Sequence, residues 1–172
     1  MATVSGLPGA GKSTLLSRLD TGTAAVFDTE QVAAALGRLL PGVPYATYRP
    51  LTHAIHVLRA AHALTGRGPV VVHMPRTRGS SRRALIILAR LAGRSVHAIL
   101  LQTTPAQAWE GQRQRGRVLS QRRFAAHVRV WDCLRDNLHQ GWQGCRLQRE
   151  GFSSAVWLTR SSAATVRRLE FR

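Results

Sequence analysis

Short apolar runs alternate with longer stretches of helical period along this chain. Residues 2–5 (ATVS), 23–27 (TAAVF), 69–73 (PVVVH), 95–101 (SVHAILL) and 154–159 (SAVWLT) are brief and mostly aliphatic or β-branched, the pattern of strands. Residues 12–20, 29–40, 48–65, 80–92, 105–114 and 120–139 carry the period of helices, and a last short helix is predicted near 162–169. Runs such as VVV and AILL are apolar at consecutive positions, as in strands covered on both faces. Strand–helix alternation of this kind predicts an α/β fold, with a five-stranded parallel sheet between two layers of helices. Phe124, Val128, Trp131, Leu134 and Leu138 recur at helical spacing and form a core face; Trp142, Trp157 and Phe171 also read as core. The segment 41–50 (PGVPYATYRP) holds three prolines and is predicted as a loop.

No repeat or linker divides the 172 residues, so residues 1–172 read as one domain large enough for a single core. No apolar run reaches the roughly 18 residues of a membrane span. The start, MATVSG, runs straight into a glycine loop without the pattern of a signal peptide, so a cytoplasmic location is expected. Cys133 and Cys145 lack metal-ligand spacing and read as reduced thiols. The charge changes the picture: the chain carries +17, because only eight carboxylates oppose 25 basic residues. Such a surface attracts anions, among them nucleotides, nucleic acid ends and phosphorylated metabolites.

The stretch VSGLPGAGKSTLL, residues 4–16, carries the chemistry. Gly6-x4-Gly11-Lys12-Ser13 has the full spacing of a phosphate-binding loop, and it stands between a strand and an apolar helix. Residues Gly6, Pro8, Gly9, Ala10, Gly11, Lys12, Ser13 and Thr14 are therefore expected to hold a nucleotide triphosphate. Backbone N–H groups would wrap the anion, the helix N-terminus would add its positive end, and the Ser13 hydroxyl would serve Mg²⁺. Lys12 is the only lysine; every other basic residue is an arginine. A slender ammonium on a flexible stem fits inside such a loop where a planar guanidinium does not.

With GLPGAGKSTL, then AVFDTEQVAAAL, then VVVH and an arginine-bearing helix, residues 2 to about 130 resemble the P-loop kinases. These include polynucleotide kinases, zeta-toxin-like kinases and small-molecule kinases of antibiotic producers. The resemblance implies a P-loop NTPase fold and an acid after the second strand that accepts the acceptor's proton or helps hold Mg²⁺. Asp28 and Glu30 both stand in that place, and only they among the acids follow a strand beside the glycine loop. The family's following arginine is replaced by Ala33. His73 ends the third strand where motor ATPases carry a carboxylate, which argues against a motor or an AAA-type machine.

The resemblance also places a lid before the long helix, here the basic segment around 110–123 with Arg113, Arg115 and Arg117. Arg113 and Arg117, four apart, are expected at the phosphates as catalytic residues beside Lys12 and the acid. Arg160 falls where related kinases contact the adenine. Tyr48, His53, His73, Arg76 and Arg82 are expected on the acceptor side, Arg82 as the family's arginine at the start of its helix, with Tyr45 and Arg78 as neighbours. The reading is an ATP-dependent kinase, GTP being possible as donor and Mg²⁺ as metal, with Ser13 and Asp28 on the metal. The acceptor hydroxyl belongs to a small molecule or a nucleic acid 5′ end, with an anionic or nucleoside-like character favoured by the charge. The other reading is a nucleotide-binding switch that has no acceptor.

Overall fold

The computed structural model describes residues 1–74, 79–116 and 118–171, with only the backbone of 79–81. Five parallel strands form one sheet: β1 (Ala2–Gly6), β2 (Ala25–Phe27), β3 (Val70–His73), β4 (His97–Gln102) and β5 (Ser154–Thr159). Their order is β2-β3-β1-β4-β5. β1 is central, in register Thr3 to Val72 on one side and Thr3 to Ala98 on the other. Val4, Val71 and Val72 have no exposed surface, which explains the uninterrupted apolar runs.

The helices are α1 (Lys12–Arg18), α2 (Thr29–Leu39), α3 (Tyr45–Thr65), α4 (Gly79–Leu91), α5 (Pro105–Arg113), α6 (Gln121–His139), α7 (Arg146–Glu150) and α8 (Arg160–Thr165). β1 to β2 runs outward across the sheet, and the later crossovers run the other way. Right-handed crossovers therefore set α1 on one face and α2 through α7 on the opposite one. α8 joins α1, where Arg18 Nη2 donates to the Ala163 carbonyl at 3.1 Å. No helix of the described residues is long and apolar enough to cross a membrane.

Three local readings change. The loop over 41–50 stops at Pro44, which precedes α3, and Pro50 lies inside the helix. Proline removes one N–H near the start of a long helix, and the packing of α3 against α2 and α4 outweighs that loss. α7 has only five residues, too few to show a period, and is set by Cys145 Sγ accepting from the Gln148 N–H and by Gly151 in the left-handed region. α8 begins and ends earlier than 162–169, because Thr159 accepts from the Ser162 N–H as its N-cap. Beyond it the chain pairs with Asp20 through the Asp20 and Leu169 N–H groups.

Arg82 also moves. Rather than facing the acceptor side, its Nη2 donates to Glu150 Oε1 at 2.6 Å, and the two side chains are only 10% and 5% exposed. Arg146 Nε adds a bond of 2.9 Å to the same oxygen. A carboxylate this buried must be paired, and α4 supplies the nearest guanidinium. Removing the carboxylate strands that charge: Glu150→Ala is expected to cost about 3–5 kcal/mol, read as a lower urea midpoint at unchanged slope. A loss under about 1 kcal/mol would show that water reaches Arg82 freely.

Candidate active site

The carboxyl ends of β1, β2 and β3 meet beside the glycine loop, where ligands bind in open parallel sheets. Gly9 takes φ +87°, and a Cβ there would lie 1.9 Å from the Ala108 carbonyl oxygen, so no other residue fits. Lys12 opens α1 with its side chain turned back under the loop. Its Nζ donates to the carbonyls of Gly6 at 3.1 Å and Leu7 at 2.8 Å. Burial, with the Arg115 guanidinium nearby, lowers the ammonium to about 8, while Asp28 pulls the other way.

Asp28 ends the turn after β2 and caps α2, its Oδ1 accepting from the Glu30 N–H at 3.1 Å. The same oxygen takes His73 Nδ1–H at 2.7 Å. Burial alone would raise the Asp28 carboxyl. The His73 bond, the Ser13 hydroxyl and the Glu30 amide overcome it and hold the group well below the usual carboxylate range. His73 in turn is pushed down by burial, against the pull of Asp28, so it stays neutral and donates through Nδ1. Its backbone carbonyl accepts His56 Nε2–H at 2.8 Å, and burial lowers His56 to about 4.

Ser13, Thr14, Asp28, Glu30 and Arg115 share one open cleft of about 720 Å³ with Leu16, Ser17, Val26, Gln31 and Ala34. A second cleft, of about 490 Å³, lies at the ends of β4 and β5, lined by Leu7, Gln102, Thr103, Gln107, Trp131 and Arg160 among others. The expected Arg160 thus stands across the glycine loop from Asp28. Arg113 and Arg115 are exposed at the end of α5 and in the turn after it, and Arg115 is the one that lines the first cleft. Arg76, Arg78 and Arg117 lie outside the described residues.

Among the described residues of the expected acceptor side, Arg82 alone is turned to another part of the fold. Tyr48 packs edge-on against Tyr45 at 5.3 Å, and its hydroxyl lies over Gly37 of α2. His53 sits half-buried further along α3, and Arg82 is committed to Glu150. His73 gives Nδ1 to Asp28, while its Nε2 is buried without a partner among the described residues. The cleft wall instead uses Ser17, Gln31 and Ala34, which carry no motif. Gln112, buried on α5 beneath the glycine loop, was also missed; a polar residue four after Ala108 on the apolar face of that helix is its only trace.

For magnesium, the donor set fits in part. The Ser13 hydroxyl and the Asp28 carboxylate are hydrogen-bonded to each other, two hard oxygens at the cleft floor. Among the described residues no group of three His, Cys, Asp or Glu side chains could hold a metal by itself. The remaining ligands for such an ion are phosphate oxygens and water.

A family model described as AAA domain (AAA_33) matches residues 1–140. No curated protein sequence matches the chain. Among solved structures, the PezAT chromosomal toxin-antitoxin system of Streptococcus pneumoniae is similar at TM-score 0.67 and 14% identity, over 94% of this chain and 67% of that one. The Deinococcus radiodurans tunicamycin resistance protein aligns at 0.49 and 22% identity, over 96% and 91% of the two chains. A gluconokinase from Sinorhizobium meliloti 1021 aligns at 0.48 and 17%, over 96% and 85%. The first shows a shared fold.

Lys12 supplies a test of this geometry. An anion in the loop stabilises the protonated ammonium, so binding raises a group that titrates near 8 in the free protein. Affinity for Mg·ATP is then flat below that pH and falls above it. Calorimetry in buffers of different ionisation enthalpy is expected to show uptake of about one proton per nucleotide at pH 9 and about a tenth at pH 7. Binding at pH 9 without proton uptake contradicts the placement of Lys12 on the phosphates. With a phosphate-binding loop at the end of a central parallel strand and a family match over most of its length, the chain belongs to the AAA_33 family of AAA domains.

Proposed function

We propose that the protein is an ATP-dependent kinase that transfers the γ-phosphoryl group to a hydroxyl of a small molecule. The observation that carries this reading is the convergence of Ser13, Asp28 and Arg115 on one cleft beside the buried Lys12. Phosphoryl transfer asks little covalent chemistry of a protein. It needs the phosphates positioned, their charge neutralised, and the attacking oxygen held in line.

Residues Gly6 to Thr14 hold the phosphates through backbone N–H groups, and Lys12 exchanges two carbonyls for phosphate oxygens. Ser13, with Asp28 beside it, would hold Mg²⁺, which would neutralise phosphate charge. Asp28 faces the acceptor hydroxyl, with Glu30 at the exposed lip. A carboxyl held so far down is a weak base, suited to orienting the hydroxyl and taking its proton late, which a loose transition state allows. Arg115 contributes positive charge at the transferred group, and the cleft around Arg160 receives the base.

The cleft bears on the class of acceptor. Its lining offers Ser17 and Gln31 for hydrogen bonds and Leu16, Val26 and Ala34 for apolar contact. Among the described residues, two of the eight acids line this cleft together with one arginine. A compact hydroxyl compound suits this mixed polar and apolar lining.

Transfer from γ-labelled ATP to polyols, nucleosides and 5′-hydroxyl oligonucleotides tests the reading, with wild type beside Asp28→Asn. Label is expected on a small acceptor. The variant is expected to lose at least about a hundredfold in rate and to keep its affinity for metal-free ATP within about threefold. Tight ATP binding with no labelled acceptor in any class, and no effect of Asp28→Asn, points to a nucleotide switch. Preferential labelling of oligonucleotides overturns the small-molecule assignment.

A further inference from the structure

Gln112 is 3% exposed, yet its side-chain amide is used at both ends. Nε2 donates to the Pro8 carbonyl in the glycine loop at 3.3 Å. Oε1 accepts from the Leu119 N–H at 3.0 Å, seven residues on. Its own backbone carbonyl accepts from the Arg115 N–H at 3.2 Å, closing the turn that follows α5. One residue thus touches the glycine loop, the turn that carries Arg115, and the strand of chain by which that turn leaves toward α6.

The backbones beneath it leave no slack. A Cβ at Gly9 would fall 1.9 Å from the Ala108 carbonyl oxygen, and one at Gly111 would fall 2.2 Å from the Gly9 carbonyl oxygen. α5 and the glycine loop are therefore in direct main-chain contact, Gly against Gly, and Gln112 stands at the edge of that contact. On the other side Leu119 packs half-buried against the core and pins the far end of the turn. Between these two anchors Arg115 projects into the cleft shared by Ser13 and Asp28.

We propose that Gln112 is a positioning residue, whose amide ties the Arg115 turn to the glycine loop and so holds the guanidinium at the phosphate end of the cleft during transfer. The proposal rests on the kinase reading for the step it serves. The chemistry of the side chain is specific. The position needs a donor for a carbonyl and an acceptor for an N–H at the same time, on a stem long enough to span them. Glutamate keeps the acceptor and loses the donor, methionine keeps the length and loses both, and asparagine is one methylene short.

A buried amide that merely satisfies two backbone groups predicts something different: lower stability with an unchanged turnover. Gln112→Met, Arg115→Ala and the double variant separate the two roles. If Gln112 acts through Arg115, each single variant lowers kcat, Gln112→Met by about tenfold to a hundredfold, the size expected for a displaced catalytic charge. The Kd for Mg·ATP stays within about threefold, and the double variant is no worse than Arg115→Ala alone. Unchanged kcat in Gln112→Met, or losses that multiply in the double variant, overturns the proposal. Should Gln112→Met fail to fold, Gln112→Glu, which retains the Leu119 bond, is read in the same way.

Amide hydrogen exchange over residues 113–120 with Mg·ATP bound reads the tie without any acceptor. Slowed exchange at Arg115 and Leu119 in wild type that is lost in Gln112→Met supports it. Equal exchange in the two proteins overturns it. A protein that ties the turn in this way but transfers no phosphate to any acceptor leaves the tie standing and removes the kinase reading.

Discussion

A buried ammonium resting on two main-chain carbonyls is the interaction the rest of the site answers to. Lys12 Nζ sits on the Gly6 and Leu7 oxygens at the end of the central strand, deep enough that burial pulls it to about 8. A charge in that position is costly until something anionic arrives. Asp28 lowers the cost from one side, and the two hydrogen bonds lower it from beneath. The free protein thus holds a cation that is only partly satisfied, next to a cleft with room for phosphates. The sheet order makes this possible, since β1 lies between β3 and β4 and delivers its loop to the middle of the ligand-binding edge.

Charge differs between the whole chain and the cleft. The chain is strongly basic, but its arginines are spread over many elements, and several are structural. Arg94 bonds the Gly68 carbonyl at 2.7 Å and also that of Gly66, Arg18 reaches α8, and Arg82 neutralises Glu150. Arg59 lies 5.7 Å over the Phe27 ring at the end of β2. The cleft, by contrast, gathers Asp28 and Glu30 opposite one arginine among the described residues. Net charge therefore reports on long-range attraction of anions, ATP among them, and says little about what meets Asp28.

The fold was legible because a parallel sheet covered on both faces writes itself as unbroken apolar runs, and all five strands stand where those runs are. What the sequence hid were features without a period or with a misleading one. α7 is too short, and the three prolines of 41–50 masked a helix that begins at Tyr45. The glycine loop was legible because its residues are contiguous. The Asp28–His73 bond joins positions 45 apart, and the Gln112–Pro8 bond positions 104 apart, so neither leaves a local pattern. Arg82 misled for the opposite reason. Its place at the start of a helix matched a family pattern, while its partner Glu150 lay in a helix that periodicity does not reveal.

Because Lys12 is the only lysine, one isotope label reports on the ammonium at the centre of the site. Lysine labelled with ¹⁵N at Nζ should give a single side-chain signal in the folded protein. Adding Mg·ATP is expected to move that signal at pH 7, as the carbonyl partners give way to phosphate oxygens, and an equimolar Mg²⁺ control is expected to leave it in place. A signal that stays put at saturating nucleotide means that the ammonium never leaves the Gly6 and Leu7 carbonyls, and the loop does not hold a triphosphate.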